Sequence, residues 1–135
     1  MTERRLFSLE EANALIPVLR PLLERLRDMV NEAQRQQTEI QRMESVWPHA
    51  NGHRVELEVN LKTARATLEA LTTDIRTGIS EAEAHGCEVK DPSTGLIDFR
   101  SPRDGRVVYL CWRLGEDDIA FWHTLEDGFK GRQPQ

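Results

Sequence analysis

Long apolar runs are missing from this chain. No stretch approaches the ~18 residues that a membrane span requires. Met1-Thr2-Glu3-Arg4-Arg5 carries two positive charges with no apolar segment behind them, since Leu6 and Phe7 lead straight into Glu10 and Glu11. Neither a spanning helix nor a secretory leader is expected. Cysteine is scarce: Cys87 and Cys111 are too few for a disulfide framework, and in a reducing compartment they stay thiols. A cytoplasmic location is the expectation. A basic excess is missing too. Eighteen Lys and Arg are spread along the chain and outnumbered by 23 Asp and Glu, for a formal net charge of -5. With no basic face to release counterions, nucleic-acid binding is not expected. CxxC, HExxH, GxSxG, P-loop and dinucleotide-binding patterns are all absent, as are internal repeats and low-complexity tracts.

What is present is the composition of one folded domain with much exposed helix surface: 135 residues, 39% hydrophobic and 30% charged. Ser8 and Glu11 have the spacing of a capping box, which satisfies two orphan donors at a helix start. A heptad follows. Leu9, Ile16, Leu23 and Val30 hold one repeat position; Ala12, Leu19, Leu26, Ala33 and Ile40 hold the other, with Trp47 closing the series. This is a coiled-coil seam. Pro17 and Pro21 predict a kink, with a short helix and a fresh start near Pro17 as the alternative. Turn chemistry at Trp47-Pro48-His49-Ala50-Asn51-Gly52 ends the element. A second helix, about Arg54 to His85, carries the seam Leu57, Leu61, Ala64, Leu68, Leu71, Ile75 and Ala82, and Gly86 stands where a left-handed cap is expected. The two helices should pair antiparallel.

After Gly86 the apolar period changes from helical to alternating. Leu96–Phe99, Val107–Trp112 and Ile119–His123 read as strands, and Asp104-Gly105 is a type I′ hairpin signal. A two-residue turn there sets Asp98 opposite Cys111, Phe99 opposite Leu110 and Ile97 opposite Trp112. Opposed residues share a face, so Ile97, Phe99, Val108, Leu110 and Trp112 form an apolar face that should cover the helices. Asp98, Arg100, Tyr109, Cys111 and Arg113 form a mixed polar one. The third strand joins in either of two registers. One puts Ile119, Phe121 and His123 on the apolar face, and burial of two large apolar residues favours it. The other puts His123 beside Cys111 and Asp98 and sends Trp122 to the core.

The expected fold is therefore α+β: a single domain, residues 1–135, with a long antiparallel helical hairpin over about 8–86. A small three-stranded antiparallel β-sheet follows as a meander over about 88–124, and then a polar tail at 125–135. Leu15, Leu22, Met29 and Met43 make a second apolar row beside the first seam, wider than a hairpin needs. Self-association as a homodimer through the helices would cover it. The leading functional expectation is accordingly a non-enzymatic, self-associating interaction module.

Asp98, Cys111, Glu116 and His123 are the residue types of a zinc or other divalent transition-metal site. A metal-binding protein, or more narrowly a metal-dependent hydrolase, is the alternative function. Glu116 would be a fourth ligand or a base. Against this stands the plainer reading of Cys111 as a small buried hydrophobe, Glu116 as a turn residue and His123 as a strand-end side chain. His49 and His53 straddle a turn and read as loop histidines. Gly128-Phe129-Lys130-Gly131-Arg132 reads as a flexible basic tail anchored by Phe129 sooner than as an anion cradle.

Several segments carry a resemblance to a known family. They are Phe7-Ser8-Leu9-Glu10-Glu11-Ala12-Asn13, Val89-Lys90-Asp91, Gly95-Leu96-Ile97-Asp98-Phe99, Leu110-Cys111-Trp112 with Gly115-Glu116, Trp122-His123 and Gly128-Phe129-Lys130-Gly131-Arg132. In these the chain resembles the bacterial family called domain of unknown function 2203, over nearly its whole length. The resemblance implies a small bacterial protein and brings no established activity. It implies that the Cys111, Glu116 and His123 region belongs to the family's pattern.

Overall fold

A computed structural model describes residues 5–135; the first four, part of the stretch weighed as a leader, lie outside the described residues. Helix α1 spans Leu9–Val46 and starts on a complete capping box. The Ser8 hydroxyl accepts from the Glu11 N–H at 3.1 Å, and the Glu11 carboxylate accepts from the Ser8 N–H at 2.9 Å. Pro17 and Pro21 lie within this one helix and do not divide it. A 3-10 turn at Trp47–His49 leads to α2, Arg54–Glu83, which packs against α1. Past its end, Gly86 has φ +105° and donates to the Glu83 carbonyl at 2.9 Å. A Cβ there would lie 2.5 Å from Cζ of Phe7, so the position excludes side chains on two counts. No helix among the described residues is long and apolar enough to cross a membrane.

Among the described residues the sheet has five antiparallel strands, not three, in the order β1 (Glu88–Asp91), β2 (Leu96–Arg103), β3 (Arg106–Arg113), β4 (Phe121–His123), β5 (Gln133–Pro134). The two extra strands are edges. β1 is short and charged, with a register shift between Val89 and Asp91. β5 is two residues long and includes a proline, which an edge position tolerates. Neither carries the apolar alternation by which strands are read. The tail is thus partly strand, and its Gly128–Arg132 segment is built around a 3-10 turn at Phe129–Gly131.

The β2–β3 register is the expected one, with Asp98 opposite Cys111, Phe99 opposite Leu110 and Ile97 opposite Trp112. Asp104 at φ +51° and Gly105 at φ +79° supply the two left-handed residues of a type I′ turn. Ile97, Phe99, Val108, Leu110 and Trp112 are buried against Phe7, Ile16, Leu19, Leu23 and Leu26. The β4 register corrects the favoured expectation. Phe121 pairs with Cys111, Trp122 with Leu110 and His123 with Tyr109, so Trp122 faces the core and His123 the opposite side. The reason lies in the connection. Ile119 sits outside the strand, its N–H donated to the Asn13 side chain at 2.8 Å, and it is buried independently of the strand's alternation. The core thereby takes both Ile119 and Trp122.

At 1.5 Å per residue α1 is about 57 Å long, whereas eight-residue strands reach about 26 Å. The far part of the hairpin carries its own small cluster, Ile40, Met43, Leu61 and Ala64. The second apolar row is largely used within the chain: Leu15, Leu22 and Met29 pack on the main core and Met43 lies in the far cluster.

Candidate metal centre

The face of the sheet turned away from the helices is not a solvated surface. Asp98 and His123 are each 2% exposed and Cys111 not at all. β2, β3 and β4 each contribute one of these residues. Register brings them together: Asp98 opposes Cys111 directly, and His123 lies two cross-strand pairs along, the next position on the same face, opposite Tyr109. Their ligand atoms all lie within 4.8 Å of one another. Bound to one tetrahedral zinc, with bonds of about 2.0–2.1 Å to N or O and 2.3 Å to S, such atoms would stand about 3.3–3.7 Å apart. The widest pair would have to close by up to about 1.2 Å, whereas Nε2 and the Asp98 oxygens, 3.1 Å apart, would have to open by a few tenths of an ångström.

The histidine is oriented as a ligand. Its Nδ1 lies 2.7 Å from the Thr124 carbonyl, which only accepts, so Nδ1 carries a hydrogen. Nε2 is thereby the nitrogen left for a cation, the role in which metal-binding histidines are typically held by a backbone carbonyl. In this structure Nε2 stands 3.1 Å from both oxygens of Asp98. One hydrogen between them satisfies the pair. The Tyr109 ring closes one flank, 5.3 Å from the imidazole, and its hydroxyl donates to Glu88 at 2.8 Å.

Burial pushes the Asp98 carboxyl above its ordinary range, with His123 pulling the other way. Burial and then the Asp98 charge push the Cys111 thiol up to about 12, against the pull of Arg132. A thiol held this firmly is a poor nucleophile. A Cys–His–Asp catalytic relay is disfavoured by geometry as well, because the imidazole nitrogen that faces the cluster is engaged by the carboxylate and the other by backbone.

Glu116 does not join the three. Its carboxylate accepts from the Arg113 N–H at 2.8 Å and from Arg132 Nη2 at 2.7 Å. Arg132 is the site residue that sequence reading missed, having placed it in a flexible tail. Its guanidinium lies between the rings of Phe121, 4.2 Å away, and Phe129, 4.7 Å away. Nη2 also reaches the Cys111 carbonyl at 3.4 Å. Only the folding of the tail over the sheet brings it there, and no local pattern announces that. The Thr124 carbonyl is equally invisible in sequence, being backbone.

A family model described as "Uncharacterized conserved protein (DUF2203)" matches residues 5–135, and the chain belongs to that family. No curated protein and no solved structure matches it.

Proposed function

We propose that this member of the DUF2203 family is a metal-binding protein in which Asp98, Cys111 and His123 hold one divalent transition metal. The observation that carries the reading is the convergence of a carboxylate, a thiol and a carbonyl-oriented imidazole within 4.8 Å in the interior of the sheet's second face. Mixed S, N and O donors suit zinc and its neighbours, and hard cations poorly. A cation would also offset the cost of burying the carboxylate and favour the thiolate. Glu116 is left out of this ligand set because Arg132 holds it. Three protein ligands leave a fourth coordination position, as in catalytic zinc sites.

The test is titration of tag-free, reduced protein with cobalt(II), read by the thiolate-to-cobalt charge-transfer band, followed by competition with zinc. One equivalent should bind, and both Cys111→Ser and His123→Ala should abolish the band. Zinc binding that survives in both variants would sink the assignment.

A second reading, self-association, has one observation in its favour at the far end of the hairpin. Val46, Val55 and Val59 are 39%, 75% and 57% exposed there, and Val55 and Val59 share a face of α2. Light scattering should then give twice the chain mass, reduced to one by Val55→Glu with Val59→Glu. A monomeric wild type at micromolar concentration would end this reading.

A further inference from the structure

Arg132 has a feature that its ion pair with Glu116 does not explain. The side chain is 12% exposed, and its Nη2 is satisfied by Glu116 and the Cys111 carbonyl. Its Nε is buried and has no hydrogen-bond partner among the described residues. Leaving a charged donor unpaired in the interior is costly. The guanidinium lies on the sheet face that carries Cys111, over the ring of Phe121, which is paired with Cys111 across β3 and β4. The faces of Phe121 and Phe129 hold it in place.

We propose that Arg132 is the anion-binding group of this centre. With a metal on Asp98, Cys111 and His123, the fourth position takes a small carboxylate, one oxygen on the metal and the other accepting from Arg132 Nε. This rests on the metal reading. A planar carboxylate suits a guanidinium edge, and its short hydrocarbon part would meet the Phe121 and Phe129 rings that bracket Arg132. Glu116 has a positioning role: it takes Nη2 of the guanidinium and leaves Nε unpaired.

The experiment uses the full chain loaded with cobalt(II), with acetate as the probe and the visible spectrum as the readout. Acetate should change the wild-type spectrum saturably. Arg132→Gln should bind cobalt within a few-fold of wild type but acetate about tenfold more weakly, the size of one charge-assisted hydrogen bond. Should Arg132→Gln not fold, Arg132→Lys keeps the charge opposite Glu116 and lacks the Nε donor; the same loss is expected. Equal acetate affinity in wild type and either folded variant would overturn the proposal, as would a wild-type spectrum that acetate leaves unchanged. If cobalt does not bind wild type at all, the metal reading falls and this inference with it, a result distinct from the other two.

Discussion

Metal binding at this centre should be steeply linked to pH, and the slope follows from the burial of Cys111. The thiol is pushed up to about 12, so throughout the range pH 6–9 it is protonated in the metal-free protein. A metal takes the thiolate, and each metal bound must release that proton. The cost at pH 7 is the distance from 7 to 12, about 7 kcal/mol at 1.36 kcal/mol per unit. Structural zinc sites bind with about 10–16 kcal/mol at pH 7 after their own ligands have lost protons, so a proton cost is compatible with tight binding. The observed binding constant should then rise about tenfold per pH unit from this one proton. Competition against a chelator at several pH values measures the slope. Calorimetry in buffers of different ionisation enthalpy counts the protons. Cys111→Ser should weaken zinc by more than the ~10–100-fold typical of residues that merely support a ligand, and should remove one proton from the count. A pH-independent constant, or an unchanged proton count in Cys111→Ser, would refute the reasoning.

Other outcomes follow from the same packing. His123→Ala leaves Asp98 buried without its partner, and urea unfolding of the metal-free protein should show a loss of about 1–3 kcal/mol. His123→Ala combined with Asp98→Ala should recover part of that loss, and a double variant less stable than His123→Ala would contradict the pairing. Gly86→Ala forces a side chain onto φ +105° and into the Phe7 ring; a loss of about 1–3 kcal/mol is expected from the backbone alone, seen as a lower thermal midpoint. Ser8→Ala removes the oxygen that caps α1 and should cost about 1 kcal/mol by the same measurement.

The parts of this fold that sequence reading reached are those set by local rules. Ser8 and Glu11 cap α1 because their spacing closes two hydrogen bonds without help from the rest of the chain. Asp104-Gly105 fixes eight cross-strand pairs because a type I′ turn leaves one register open. The opposition of Asp98 and Cys111 comes out of that turn alone. The parts that escaped depend on what a distant segment does. β1 shows no alternation, because Glu88 and Lys90 stand among the polar groups of the second face, in a network with Arg100 and Tyr109. The register of β4 hung on the loop before it. There the side chain of Asn13, more than a hundred residues earlier, takes up the backbone of Ile119 and frees the strand to turn Trp122 inward.

The candidate centre divides along the same line. Two of its three residues share a face by local geometry, and the third arrives only through that loop. Its burial is more remote still. An alternating strand pair with Asp98, Arg100, Tyr109 and Arg113 on one side reads as a sheet with a wet face. Yet the tail returns over that face: β5 pairs with β4, and Arg132 settles between Phe121 and Phe129. A carboxylate, a thiol and an imidazole that would be unremarkable on a wetted strand are thereby sealed together. Desolvation then decides their chemistry. It raises the acid and the thiol, holds His123 against Asp98, and leaves a cluster in which one cation would satisfy all three groups at once. Cutting the chain after Leu125 tests that order of causes. The metal-free shortened protein should keep the β2–β3 hairpin, lose the protection of Cys111 and react quickly with a thiol reagent. If Cys111 stays as inert as in the full chain, the tail is not what buries the centre.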